Sequence, residues 1–240
     1  LFFMSTMMPA QSQGIEWGKM LGSDKEEYVL NHLVDNDGNI YIPGKTLGDI
    51  GGENLGLNDG FLIKLDSSGN KLWSVQFGSE GFDIPLVLKA DEKNDIFVAG
   101  TTSGDFASSQ AGEGDCFVLR MDQKGEIIWK RQFGTDQNDG VRGIDINATV
   151  SDKIFISGII NLPPENAFVR IFSKDGDMLW ERIFEAQGFT GGTSWKDIHL
   201  DKKGNITHLG LTKIPLFRPV IGGNDVYAVK MEAKKFLLKK

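Results

Sequence analysis

One arrangement of short apolar segments and turn residues is written four times along this chain, and it dictates what the chain can fold into. The first copy runs Gly38-Asn39-Ile40-Tyr41-Ile42-Pro43-Gly44, then Asp59-Gly60-Phe61-Leu62-Ile63-Lys64-Leu65-Asp66, then Gly69 and Leu72-Trp73, and closes on Gln76-Phe77-Gly78. The second runs Asp95-Ile96-Phe97-Val98-Ala99-Gly100, Asp115-Cys116-Phe117-Val118-Leu119-Arg120-Met121-Asp122, Gly125, Ile128-Trp129 and Gln132-Phe133-Gly134. Trp17, Trp73 and Trp129 are spaced by 56 residues, and Trp180 follows 51 residues later. A fixed period of this size built from short strands marks a propeller-type array, in which no single repeat can bury its own apolar surface.

The other two copies are looser. Copy three reads Lys153-Ile154-Phe155-Ile156-Ser157-Gly158, Asn166-Ala167-Phe168-Val169-Arg170-Ile171-Phe172, Gly176 and Leu179-Trp180. Copy four reads Gly204-Asn205-Ile206-Thr207-His208-Leu209-Gly210 and Asp225-Val226-Tyr227-Ala228-Val229-Lys230-Met231-Glu232. The first aromatic of the third segment precedes the Trp by 12 residues in three copies, so Tyr227 calls for a Trp at position 239, where Lys239 stands. Residues 14–22, with Trp17, are a Trp segment with no preceding parts of a repeat. They are expected to act as a closing strand for the fourth copy.

Each copy resolves into four apolar or alternating segments. In the first they are Tyr28 to Val34, Asn39 to Thr46, Gly60 to Leu65 and Lys71 to Phe77. Asp35-Asn36-Asp37-Gly38-Asn39 joins the first pair and Asp66-Ser67-Ser68-Gly69-Asn70 the last pair. Both put Gly where a hairpin needs a positive φ and Asp where its carboxylate can bond the turn amides. The expected unit is a four-stranded antiparallel sheet, apolar on both faces, that must stack on its neighbours. The fold class read from this pattern is all-β, a β-propeller of about four such blades, as a closed small ring or an incomplete larger propeller. Copies fall at 23–78, 79–134, 135–184 and 185–240 of one repeat domain, 13–240. Trp73, Trp129 and Trp180 are assigned to sealing the gaps between sheets.

Composition agrees and narrows the partners. Thirty Gly, 7 Pro, 16 Phe and 5 Trp in 240 residues suit strands and turns rather than helices. At this length folding buries roughly 70–75% of the unfolded surface, enough for a core without staples. A net charge of -7 gives no reason to expect nucleic acid as a partner. The lysines near the end, Lys230, Lys234, Lys235, Lys239 and Lys240, are read as a solvated edge. The single cysteine, Cys116, permits no intrachain disulfide and takes a place held by Gly60, Ala167 and Val226 in the other copies, so it is read as a small packed residue. Residues 1–12, Leu1 to Ser12 with Ala10 as a small-residue exit, look like the remnant of a secretory signal, too short to span a bilayer. The mature protein is therefore expected to be secreted, periplasmic or on the cell surface.

The string Gly-Asn-Ile-Tyr-x-x-Gly-x-Thr at Gly38 to Thr46, Asp-x-Phe-x-x-Lys-x-Asp at Asp59 to Asp66, Gly69-x-x-x-Trp73 and Gln76-Phe77-Gly78 resembles the bacterial beta-propeller (SBBP) repeat family over residues 14–238. Copy three departs with Asn166 for the Asp and Phe184-Glu185 at its close, and copy four lacks the Gly and the Trp. The resemblance implies seven blades, against four copies here. Ser173-Lys174-Asp175-Gly176-Asp177-Met178-Leu179-Trp180 resembles the Asp-box turn of sialidase propellers, which is structural there.

Chemistry is harder to find. In a propeller, the joints Leu47 to Asn58, Ser103 to Gly114, Ile160 to Glu165 and Lys213 to Asn224 share one face with the links Ser79 to Phe82 and Thr135 to Asn138. Glu80, Asp83, Asp136 and Asp139 are the acids placed there to meet a glycan or cation. Asp59, Asp115 and Asp225 are read as ties for the ends of the long loops. The Asp35 to Asn39 turn lacks the downstream Glu of a calcium loop, and His32, His199 and His208 never fall at ligand spacing. No Gly-x-Ser-x-Gly elbow or phosphate-binding Gly-Lys loop occurs. The expectation is a non-enzymatic binding or structural scaffold for an unknown protein or glycan, with no catalytic residue, cofactor, metal or membrane span, and with self-association if the ring is open. The alternatives are a carbohydrate-active hydrolase or lyase using acids of the long-loop face, and one portion of a larger multidomain surface protein.

Overall fold

The turns set the architecture. Asp66 shows how: its carbonyl accepts the Gly69 amide at 2.9 Å, and its carboxylate Oδ1 accepts the amides of Ser68 at 2.9 Å and Asn70 at 2.8 Å. Gly69 takes φ of +78°, a conformation a side chain disfavours, and Gly38, Gly125 and Gly176 repeat it. Asp35, Asp91 and Asp122 make the same carboxylate-to-amide bonds in their own turns. Ser173 substitutes its hydroxyl, accepting from Asp175 and Asp177. Each turn is thus closed by a side chain two and four residues away, and the flanking segments have to run antiparallel.

The computed structural model describes residues 14, 16–146, 153–160, 166–184, 193–201, 205–212 and 225–232. The expected signal remnant at 1–12, and Lys234, Lys235, Lys239 and Lys240, lie outside them. The described residues contain no helix and form four antiparallel sheets. Sheet one holds β1 (Glu27–Val29), β2 (Leu33–Val34), β3 (Ile40–Thr46), β4 (Asp59–Leu65) and β5 (Lys71–Phe77). Sheet two holds β6 (Asp83–Ala90), β7 (Ile96–Thr102), β8 (Asp115–Met121) and β9 (Ile127–Phe133). Sheet three holds β10 (Gly140–Ile146), β11 (Lys153–Ile160), β12 (Asn166–Ser173) and β13 (Met178–Phe184). Sheet four has β14 (Thr193–Leu200), β15 (Ile206–Thr212) and β16 (Asp225–Met231) among the described residues. Strands pair in chain order throughout, and β1 and β2 both pair with β3 as two halves of one first strand. That split falls where sheets two, three and four carry a one-residue irregularity, at Pro85/Val87, Val141/Gly143 and Trp195/Asp197.

Apolar residues on successive positions drive the sheets to stack. Tyr41, Leu62 and Phe77 of sheet one meet Ile96, Val98, Phe117, Leu119 and Met121 of sheet two. Phe97, Ala99 and Val118 of sheet two meet Ile154, Ile156, Phe168 and Phe172 of sheet three. Phe155, Ala167, Val169 and Ile171 of sheet three meet Ile198, Ile206, Tyr227 and Met231 of sheet four. Each fully buried side chain of this size contributes about 1.5–3 kcal/mol. The first strands β6, β10 and β14 pack directly on one another, whereas β5, β9 and β13 show no comparable approach among the described residues. The sheets therefore fan out from their first strands.

Tryptophan couples sheet one to sheet two and sheet two to sheet three. The indole of Trp73 donates to Gln123 O at 2.9 Å over the Gly125 turn of sheet two, and Trp129 donates to Lys174 O at 2.6 Å over the Gly176 turn of sheet three. The expected role of these two residues is what the geometry delivers. Trp17 repeats it on sheet one, donating to Ser67 O at 3.2 Å against Gly69. Residues 16–23 nevertheless form no strand, and β16 pairs only with β15 among the described residues, so the expected closing strand at 14–22 is not formed here. Through Trp17 this segment meets the sheet-one turn.

Candidate functional site on the long-loop face

The joints at 47–58 and 103–114 are tied by the same pair of side chains, a Gln and an Asp, with the amides bonded to the Gln shifted by one residue. In the joint at 47–58, Gln76 of β5 uses its amide oxygen to accept the Ile50 amide at 3.0 Å and its amide nitrogen to donate to Gly48 O at 3.0 Å and Asp59 Oδ2 at 3.0 Å. Asp59 Oδ2 also accepts the Leu55 amide at 2.8 Å. In the joint at 103–114, Gln132 and Asp115 make the corresponding bonds, with Ala107 N at 2.9 Å, Gly104 O at 3.0 Å, and Ala111 N onto Asp115 at 2.9 Å. Asp59 and Asp115 are therefore loop ties, as their position before the aromatic strand residue implies. The Gln of Gln-Phe-Gly is their partner, a role that the repeat displays without explaining.

The links between sheets lie on the same face. Asn58 forms a parallel bridge with Phe82, and Gly114 one with Asn138. Asp83 N donates to Asn58 O, and Asp139 N to Gly114 O, both at 2.7 Å. Between joint and link runs a groove of about 830 Å³, lined by Leu55, Leu57, Ser79, Glu80, Gly81, Ser103, Gly104, Asp105 and Gln110. Leu55 and Leu57 are each more than half exposed on its wall.

Of the four acids expected to face a ligand, Glu80 lines this groove and is exposed. Asp136 is exposed on the second link but does not line it. Asp83 and Asp139 require a correction, because both are buried. Asp83 Oδ2 accepts from Ser79 N at 2.6 Å and Ser79 Oγ at 2.8 Å, and Asp139 accepts from Thr135 N and Oγ1 in the same way. Each carboxylate turns inward because a glycine makes room for it. A Cβ on Gly78 would lie 2.3 Å from Asp59 Oδ1 and 3.1 Å from Asp83 Oδ2, and one on Gly134 would lie 2.1 Å from Asp115 Oδ1 and 2.7 Å from Asp139 Oδ2. Acids of neighbouring sheets thus converge at the first two seams, sealed from solvent. The signal was present in the sequence as Gly78-Ser79-x-x-x-Asp83 and Gly134-Thr135-x-x-x-Asp139, and Gly22-Ser23-x-x-x-Glu27 repeats it, with Ser23 Oγ donating to Glu27 at 2.5 Å.

Electrostatics follow this burial. Burial first, then the Asp59 charge, pushes the Asp83 carboxyl above its ordinary value, against the pull of Thr102 and Ser79. Burial also pushes Asp35 up, but hydrogen bonds from Asn39, Tyr41 and Asp37 outweigh it and leave that carboxyl low. Burial raises Tyr227, and burial with the Asp35 charge raises Tyr41. Cys116 is buried, as a packed residue should be. Among the described residues no cluster of three or more His, Cys, Asp or Glu is placed to hold a metal ion, and no helix is long and apolar enough to cross a membrane.

No family model and no curated protein matches this chain. Among solved structures it is similar to a protein of unknown function from Bacteroides caccae, with a TM-score of 0.49 and 13% identity, over 91% of this chain and 65% of that one. It is similar more distantly to the tail fiber of Staphylococcus aureus phage P68, with a TM-score of 0.30 and 9% identity, over 90% of this chain and 52% of that one.

Proposed function

We propose that this chain is a β-propeller repeat protein of the SBBP type, secreted or held at the cell surface, that serves as a non-enzymatic binding or structural scaffold. Its long-loop face is the binding surface. The fan of sheets about their first strands supports the propeller reading. The observation that carries the function is the division of labour on that face. The residues the repeat holds constant, Asp59, Gln76, Asp83 and Asp115, are spent on tying loops and links. The groove they frame is walled by residues the repeat leaves free, chiefly Leu55, Leu57, Glu80 and Gln110. A rigid frame that presents variable loops is the usual division between scaffold and recognition surface.

Binding is preferred to hydrolysis because the carboxylates that converge from neighbouring sheets, Asp59 with Asp83, are shut from solvent. The test is a soluble-glycan and protein array followed by thermal unfolding with each hit. A true ligand at about 100 times its Kd adds about 2.7 kcal/mol of stability and raises Tm accordingly. Leu55→Asp together with Leu57→Asp abolishes that rise while leaving the unliganded Tm within a few degrees. An array without hits, or a hit indifferent to the groove substitutions, overturns the assignment.

A further inference from the structure

The seam between sheets two and three departs from the repeat in one respect that the fold does not require. Two aliphatic positions of the first seam, Val75 on β5 and Leu119 on β8, are occupied in the second by Arg131 on β9 and Arg170 on β12. Arg170 lies over the Phe133 ring at 4.2 Å and near the Phe168 ring at 5.7 Å, and its Nε donates to Glu181. Arg131 stacks on Trp129 and gives its nitrogens to carbonyls only: Gly176 O at 2.9 Å, Lys130 O at 2.9 Å and Asp175 O at 3.4 Å.

These side chains wall a cavity of about 440 Å³ together with Phe133, Phe172, Asp177 and Met178, and it shares no residue with the long-loop groove. Its volume falls within the range of small-molecule sites. Phe133 and Phe172 stand 5.7 Å apart and offer an apolar floor. Asp177 is the one acid on the cavity wall, and no ion pair joins it to Arg131 among the described residues. Glu181 answers Arg170, but among the described residues Arg131 donates hydrogen bonds to carbonyls alone, and a planar guanidinium presents paired donors that match a carboxylate.

From this juxtaposition we infer that the cavity between sheets two and three binds a small organic anion, a carboxylate carried on a planar apolar body. The carboxylate meets the Arg131 and Arg170 guanidinium groups, and the body lies against Phe133, Phe172 and Met178.

The experiment uses the full chain and benzoate as the probe, with sulfate as a charge-only control and benzyl alcohol as an apolar-only control, read by isothermal calorimetry and ligand-observed NMR. The variant is Arg131→Val with Arg170→Leu, which installs the residues of the first seam and preserves the packing those residues are known to accept there. Benzoate is expected to bind saturably, at least about tenfold more tightly than either control, and the double variant to lose about tenfold or more in affinity with unchanged cooperative unfolding. Failure of benzoate to saturate, equal binding of sulfate or benzyl alcohol, or undiminished binding by the double variant each overturns the site. Should the double variant unfold, Arg131→Lys, which keeps the charge but loses the planar donor fork, replaces it, and unchanged affinity in that variant has the same consequence.

Discussion

The seam between sheets one and two and the seam between sheets two and three are made from the same repeat, yet they are held by different physics. In the first, Phe106 swings in from the joint at 103–114 to lie 4.7 Å from Phe117 and 6.2 Å from Phe77, and Val75 and Leu119 complete a dry aromatic and aliphatic contact. In the second, the corresponding joint spans only 161–165, the repeat has no counterpart of Phe106, and two guanidinium groups occupy the aliphatic positions. Both seams keep the Trp-to-turn bond and the inward pair of acids. The repeat thus conserves the fastenings at the two ends of each seam and leaves its middle free to vary. An array need only keep its sheets aligned, so the interior of one seam can change without disturbing the next.

The contrast can be broken at four points. Phe117→Ala strikes the dry seam where packing is densest and should cost about 3–5 kcal/mol, measured by urea denaturation; a loss below about 1 kcal/mol would mean that Phe106 or Phe77 refills the space. The inward acids come next. Asp83→Ala leaves the Ser79 amide and hydroxyl buried without an acceptor and should cost about 1–3 kcal/mol, whereas Asp83→Asn, which keeps an acceptor, should cost much less.

The pH dependence of that pair has a definite sign. Because the native state raises the Asp83 carboxyl, it holds this proton more tightly than the unfolded chain does. The contribution is fully present below the unfolded carboxyl range, about 3.9, and is lost as pH rises through the raised native value. Asp83→Asn should therefore gain stability relative to the natural chain as pH rises from about 4 to 7, and a parallel pair of pH–stability curves would contradict it.

Smaller effects test the shared fastenings and the variable middle. Gly125→Ala puts a side chain at φ of +86° and 3.2 Å from the Trp73 ring, and should cost about 1–2 kcal/mol, visible as a lower Tm. Gly176→Ala should cost as much at the second seam despite its different interior, since Trp129 lies 2.8 Å from that position. The smallest change is expected from Arg131→Val with Arg170→Leu and Glu181→Leu, which removes both partners of the ion pair and should alter stability by less than about 1 kcal/mol or raise it, because well-packed apolar residues commonly match a partly buried ion pair. A loss above about 2 kcal/mol would show that the guanidinium groups hold the second seam together.

Much of the fold was legible before any coordinate. Three of the four predicted segments of the first copy match β3, β4 and β5 within a residue, and the first strand differs, being split into β1 and β2. The Gly turns and the tie at Asp59 also read directly. Less of the site was legible. Asp83 and Asp139 were not legible as inward groups, because their direction depends on a hydroxyl four residues earlier and on the missing Cβ of Gly78 or Gly134. An acid on a link between strands reads as a surface group until that space is known.

Sequence alone determined the strands, their antiparallel order and the turns, because a positive φ, a two-residue alternation and an Asp-to-amide bond all act within a few residues of one another. Only the tertiary structure decided that Trp73 closes over a turn 50 residues onward, that Asp59 and Asp83 face each other across a seam, and that the second seam keeps an open cavity with two guanidinium groups. Those outcomes depend on how neighbouring sheets approach, and the space between two sheets belongs to neither one's local sequence.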